Sequence, residues 1–185
     1  LADHSERLRF GPLVSPLSFR DPVNLARQAM DLDDLGGGRF VLGVGTGWNE
    51  REHATFGWPL GDAKTRTDRL AEGLAVITQL CRADAPVTYQ GQFYHLHEAT
   101  LLPHAPRPGG PAILLGSSGK PRTLSLAGRY ADVVNTPRRS PEQLTEIYQQ
   151  LDEHLAARGR EPASVKRTVV STLFVARDED EMERR

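Results

Sequence analysis

Phe40-Val41-Leu42-Gly43-Val44-Gly45, running into Thr46-Gly47-Trp48-Asn49-Glu50, is the stretch on which the fold turns. Its apolar residues are continuous rather than alternating, the pattern of a parallel strand buried on both faces. Before it, Asp21 offers an N-cap and Pro22 a first helical position, where the missing N–H costs nothing. Leu25, Ala29 and Leu32 then repeat at helical spacing as far as Gly36, a natural stop. Further upstream, Leu8-Arg9-Phe10-Gly11-Pro12-Leu13-Val14 is an apolar run expected to form another strand.

Downstream, Asp62 can cap a long helix whose apolar stripe is Leu70, Leu74, Ile77 and Cys81. Val87-Thr88-Tyr89 and Phe93-Tyr94-His95-Leu96 flank Gln90-Gly91 as a β-hairpin inserted near 87–96. A proline-rich approach, residues 103–111, leads into a buried strand, Ala112-Ile113-Leu114-Leu115, and then a helix to about Arg129. Ala131-Asp132-Val133-Val134-Asn135 is a further strand, and Ser140-Pro141-Glu142-Gln143 is a capping box. Its helix carries Leu144, Ile147, Leu151 and Leu155 and ends at Gly159, with a last strand expected over residues 168–176.

Strands and helices alternate, so the chain is α/β with a parallel sheet and right-handed crossovers. An open doubly wound sheet and an eight-stranded barrel both satisfy that order, and periodicity does not choose between them. With no repeats and no low-complexity linker, residues 1–185 are expected to form one domain.

The totals narrow the function classes. Apolar residues make up 38% and charged residues 25% of the chain, a globular composition. A net charge of -1 with interspersed signs gives no reason to expect nucleic acid or an anionic membrane as partner. The single cysteine, Cys81, fits a reducing compartment and so a cytoplasmic location; ending an amphipathic stripe, it reads as a small hydrophobe. No run approaches the ~18 apolar residues of a membrane span, and the first residues lack a signal peptide's apolar core. The chain begins without Met and stops inside an acidic helix start, Asp178-Glu179-Asp180-Glu181, so both ends are expected to continue in a longer protein.

Three features are able to carry chemistry. The Gly43 to Glu50 run lies at the C-terminal end of a buried strand, where glycines admit a flat ligand or phosphate and Thr46 and Asn49 add hydrogen-bonding groups. A turn needed only for chain reversal is the alternative. It is not a dinucleotide fingerprint, because Trp48 stands where a third glycine belongs. Gly116-Ser117-Ser118-Gly119-Lys120, ahead of a helix at Pro121, is either an anion site or a capping turn. Gly11-Pro12-Leu13-Val14-Ser15-Pro16 places a proline in a strand, so this strand is expected to bulge or kink unless it is an edge strand entering a proline turn. The six histidines show no metal spacing, and no metal site is expected. Gly-x-Ser-x-Gly is absent.

Taken together, residues 8–16, 35–50, Val87-Thr88-Tyr89-Gln90-Gly91, residues 113–119 and Tyr130-Ala131-Asp132 resemble the luciferase-like monooxygenase family of bacterial-luciferase-like oxidoreductases, especially its deazaflavin-dependent branch. The resemblance implies a TIM (β/α) barrel and a flavin or deazaflavin cofactor: coenzyme F-420 by likeness of the Gly-Thr-Gly-Trp-Asn-Glu run, with FMN as the alternative. It implies a non-prolyl cis peptide at Leu13-Val14 behind the flavin ring. Cofactor contacts would fall at Ser15, Thr46, Gly47 and Asn49, and the cofactor's phosphate at Gly116, Ser117, Ser118 and Gly119. The implied activity is hydride transfer between the cofactor and a small organic substrate, with or without oxygen. A non-catalytic flavin-binding or partner-subunit protein built on the same barrel is the alternative.

Trp48 departs from the family's sugar-phosphate dehydrogenases, which place a catalytic carboxylate there. Other catalytic groups of the family are expected on two preceding strands, so no catalytic residue is assigned. A complete barrel of this kind takes about 250 residues, and about five of its eight strands are legible here. Two open sheet edges would expose apolar surface; a homodimer, or a partner covering those edges, is therefore expected.

Overall fold

In the computed structural model, residues 2–105, 107–173, 175–179 and 183 are described. Five parallel strands form one sheet in the order β1 (Ser15–Pro16), β2 (Val41–Gly45), β5 (Ala112–Gly116), β6 (Val133–Pro137) and β7 (Lys166–Val170). The helices α1 (Pro22–Leu35), α3 (Ala63–Arg82), α4 (Pro121–Tyr130) and α5 (Pro141–Ala156) alternate with them, and α2 (Glu50–Phe56) is a short extra turn after β2. The expected hairpin is β3 (Val87–Gln90) and β4 (His95–Ala99), an antiparallel pair outside the main sheet.

Local chemistry sets the helix starts. Asp21 and Asp62 accept the N–H groups of Asn24 and Thr65, and Ser140 with Gln143 completes the capping box. Helix α2 has little apolar periodicity; it is held by Asn49 as N-cap and closed by Gly57 at φ 73°.

One face of the sheet is the core. Leu42, Val44, Leu115 and Val134 pack against Leu25 and Ala29 of α1, Leu70, Leu74 and Ile77 of α3, Leu124 of α4, and Leu151 and Leu155 of α5. Gly73 lets α3 approach β1, since a Cβ there would stand 2.6 Å from Leu17 Cδ1. A second cluster, Val76, Leu80, Val87 and Leu96, seats the hairpin on α3. Glu72 of α3 fastens its turn by accepting the N–H groups of Gln92, Phe93 and Tyr94 at 2.8, 2.9 and 3.3 Å.

The first strand differs from the expected continuous run over residues 8–14. Phe10 bridges to Phe40, and regular pairing resumes only at Ser15 opposite Val44. Five steps along one chain therefore match four along the other, which is a one-residue bulge. Pro12, which has no N–H to offer the ladder, lies inside it, and so does the Leu13-Val14 peptide bond, which is cis. Two further boundaries move. The hairpin's second strand starts at His95 rather than Phe93, because Phe93 N–H is turned to Glu72. The last strand is Lys166–Val170 rather than residues 168–176, since it is aligned by pairing Lys166 with Val133 and not by its own apolar content. Within that expectation Phe174 lies outside the described residues, as do Asp180 and Glu181 of the acidic run.

Candidate cofactor site

The bulge decides what the glycines of the decisive stretch are for. A Cβ on Gly43 would stand 1.9 Å from the Pro12 carbonyl oxygen, and one on Gly45 would stand 2.7 Å from Val14 Cγ2. Gly116, across the sheet, would place its Cβ 3.3 Å from Val14 Cγ1. Val14's isopropyl group thus lies on a floor of three glycines at the C-terminal ends of β2 and β5. It projects on the sheet face opposite the helices, whose other residues are Val41, Leu114, Val133, Asn135, Lys166 and Thr168 around a cavity of about 360 Å³. Asn135 donates to Thr168 Oγ1 at 2.9 Å, and that hydroxyl donates to the Val134 carbonyl, so the two polar groups hold each other.

Beyond β2, Gly47 adopts φ 77°, a conformation that L side chains rarely take. Its neighbours share the work of shaping the rim. The Asn49 side chain accepts from Glu52 N–H at 3.2 Å as the α2 cap, which leaves its amide nitrogen to face elsewhere. Thr46 Oγ1 donates to the Gly47 carbonyl at 3.3 Å, and Trp48 is 81% exposed. Behind the turn, His53 is buried and bonded at both ring nitrogens, 2.8 Å from the Asn49 carbonyl and 2.8 Å from Ser18 Oγ. Phe19 packs edge-on to His53 and stacks on Trp58 at 4.4 Å.

After β5, Ser117 is buried, paired with Thr123 Oγ1 at 2.9 Å and accepting Gly119 N–H at 3.2 Å. Its hydroxyl is spent inside the turn, while Ser118 is exposed beside Gly119 (φ 89°) and Lys120. Helix α4 has no side-chain N-cap bond, so its first N–H groups lack a side-chain partner at this rim.

Of the residues singled out from sequence, Thr46, Gly47, Asn49, Gly116, Ser117, Ser118 and Gly119 lie at or beyond the C-terminal ends of β2 and β5, while Val14 immediately precedes β1 and Ser15 opens it opposite Val44. Leu13, 56% exposed, lines the same cavity as Val41, Leu114 and Thr168. Sequence reasoning passed over Ser18, His53, Asn135 and Thr168. His53 stands four residues after the N-cap Asn49, the only local signal that it faces that residue's carbonyl. Among the described residues no cluster of three or more His, Cys, Asp or Glu is placed to hold a metal, and no helix is long and apolar enough to cross a membrane.

A flavin-type ring fits this rim: an apolar ridge at Val14, small residues around it, hydroxyl and amide groups at Ser15, Thr46 and Asn49, and exposed donors at Ser118 and Lys120. A parallel β/α barrel segment with its candidate site at the strand ends is the class so defined. The family model described as luciferase-like monooxygenase matches residues 1–185, and the chain belongs to that family. It is 33% identical over 165 residues to a 4-hydroxyprotoasukamycin monooxygenase of Streptomyces nodosus subsp. asukaensis, covering 86% of this chain and 44% of the relative. It is 36% identical over 163 residues to an F420-dependent glucose-6-phosphate dehydrogenase of Microbacterium testaceum, covering 86% and 47%. Among solved structures, EDTA monooxygenase from Chelativorans sp. BNC1 superposes with a TM-score of 0.85 at 20% identity, over 99% of this chain and 48% of that one. The fold is thus that of the luciferase-like barrels, present in part, and the chain spans about half the length of the curated relatives it matches.

Proposed function

We propose that this chain contributes the cofactor-holding strands of a flavin- or deazaflavin-dependent oxidoreductase that moves hydride between its cofactor and a small organic substrate, with or without oxygen. The carrying observation is the one-residue bulge that lays Val14 over Gly43, Gly45 and Gly116 at the strand ends. The bound ring supplies the redox chemistry. The chain's own residues do the placing: Val14 supports one face, the 46–49 turn borders it, and the exposed donors of Ser118 and Lys120 receive its anionic end.

Coenzyme F-420 is favoured over FMN by the Gly-Thr-Gly-Trp-Asn-Glu run and by relatives whose names carry that cofactor. Trp48 offers no carboxylate, which argues against a sugar-phosphate substrate. The open edges at β1 and β7, with Leu13, Val169 and Val170 exposed, favour coverage by further barrel strands or by a second copy.

Titrating F-420 and FMN separately into the full-length protein, followed by fluorescence and absorbance, tests the reading. Saturable binding of one with turnover of reduced cofactor supports it. Binding without turnover supports a non-catalytic flavin-binding or partner-subunit protein instead, and binding of neither refutes both.

A further inference from the structure

His53 is 1% exposed, yet both ring nitrogens have partners on different segments. The Asn49 carbonyl only accepts, so Nδ1 carries the hydrogen, and in the neutral ring Nε2 accepts from Ser18 O–H. That chain of two 2.8 Å bonds joins the loop leaving β1 to the start of α2 and passes directly behind Gly47. A Cβ on Gly47 would meet Ser18 Oγ at 2.4 Å, Pro16 Cβ at 3.2 Å and His53 Cε1 at 3.4 Å, so these three residues form the wall on which the turn rests. A buried leucine would fill the volume of His53 but bridge neither group. The aromatic pair Phe19 and Trp58 closes the outer side, keeping the histidine dry.

We infer that Ser18 and His53 are positioning residues for the cofactor, their hydrogen bond setting where the 46–49 turn stands against the ring-binding face. The inference rests on the proposed function, and the turn itself gives it a readout that needs no cofactor.

In the full-length protein, Ser18→Ala and His53→Leu are compared with His53→Gln, whose amide oxygen can reach the Nε2 position and accept from Ser18. The dissociation constants of F-420 and FMN, the melting midpoint of the cofactor-free protein, and amide hydrogen exchange of Glu52 and His53, whose N–H groups bond to Asn49 of the turn, are measured. Ser18→Ala and His53→Leu are expected to weaken cofactor binding about fivefold to tenfold, the worth of one neutral hydrogen bond. Exchange at the amides bonded to Asn49 should quicken by a similar factor, and His53→Gln should restore both. Unchanged binding in Ser18→Ala and His53→Leu overturns the inference. So do losses that track the melting midpoint alike in all three variants, since these mark a merely structural role. If the wild-type protein binds neither cofactor, the functional reading fails. The turn-setting role is then decided by exchange alone, and unchanged exchange in Ser18→Ala overturns it as well.

Discussion

Gly45→Ala places a methyl carbon 2.7 Å from Val14 Cγ2. Two such carbons need about 3.5–4.0 Å, so about 1 Å of movement has to be found. Gly45 is buried within β2 and its carbonyl accepts from Leu17 N–H at 3.0 Å, so the backbone has little freedom to give way. Overpacking of this kind costs about 1–3 kcal/mol, and each kcal/mol moves the melting midpoint by about 2–4 °C in a chain of this size. Val14→Ala removes the offending methyl groups at a cost of its own of about 1–2 kcal/mol. In the double variant the methyl introduced by Gly45→Ala enters the vacated space, so the losses should fall short of additive by at least about 1 kcal/mol. Gly43→Ala differs in kind: its Cβ would lie 1.9 Å from the Pro12 carbonyl, a backbone atom that Val14→Ala leaves in place. Urea unfolding of the full-length protein, its single variants and both double variants provides the comparison. Additive losses for Gly45→Ala with Val14→Ala, or equal rescue of Gly43→Ala, would refute the claim that these glycines exist to receive the bulge.

Glu72→Ala should leave the global unfolding midpoint nearly unchanged. It should quicken amide exchange at Gln92, Phe93 and Tyr94 about tenfold, as a local opening made easier by about 1–2 kcal/mol; unaltered exchange at these three sites sinks the assignment. Burial pushes the Asp33 carboxyl above its ordinary value of 3.8, with the Arg107 guanidinium at 3.3 Å opposing it. The folded state therefore holds this proton to higher pH than the unfolded state, so Asp33's contribution falls as pH rises from 3.8 through the raised value and is level above it. Urea midpoints against pH should show Asp33→Asn gaining on wild type across that window, and a shrinking difference contradicts the sign. Burial also pushes the Cys81 thiol up to about 11, from an ordinary 9.0. Alkylation by iodoacetamide near pH 8 should thus be about a hundredfold slower in the folded protein than in denaturant, and comparable rates would show the thiol to be open.

Much of this architecture was legible in the chain because its causes are local. Asp21, Asp62 and Ser140 cap their helices as their spacing predicts, since a cap needs only a side-chain oxygen and an N–H a few residues away. The runs at Val41–Gly45 and Ala112–Gly116 are apolar throughout, the pattern of a parallel strand: Leu42, Val44 and Leu115 face the helices while Val41 and Leu114 face the cavity on the other side. The bulge was foreshadowed by Pro12, and the family by long matching segments rather than by any one motif.

Only the tertiary structure decided what those signals were for. The glycine-rich stretch looked like a surface cleared for a ligand. Gly43 and Gly45 in fact make room first for Pro12 and Val14, residues some thirty positions earlier. Spacing along one strand says that a side chain is missing and not which distant atom occupies its place. His53 looked like one of six scattered histidines. Its pairing with Ser18 spans 35 positions and exists because β1 and β2 lie side by side, a proximity that no local propensity encodes.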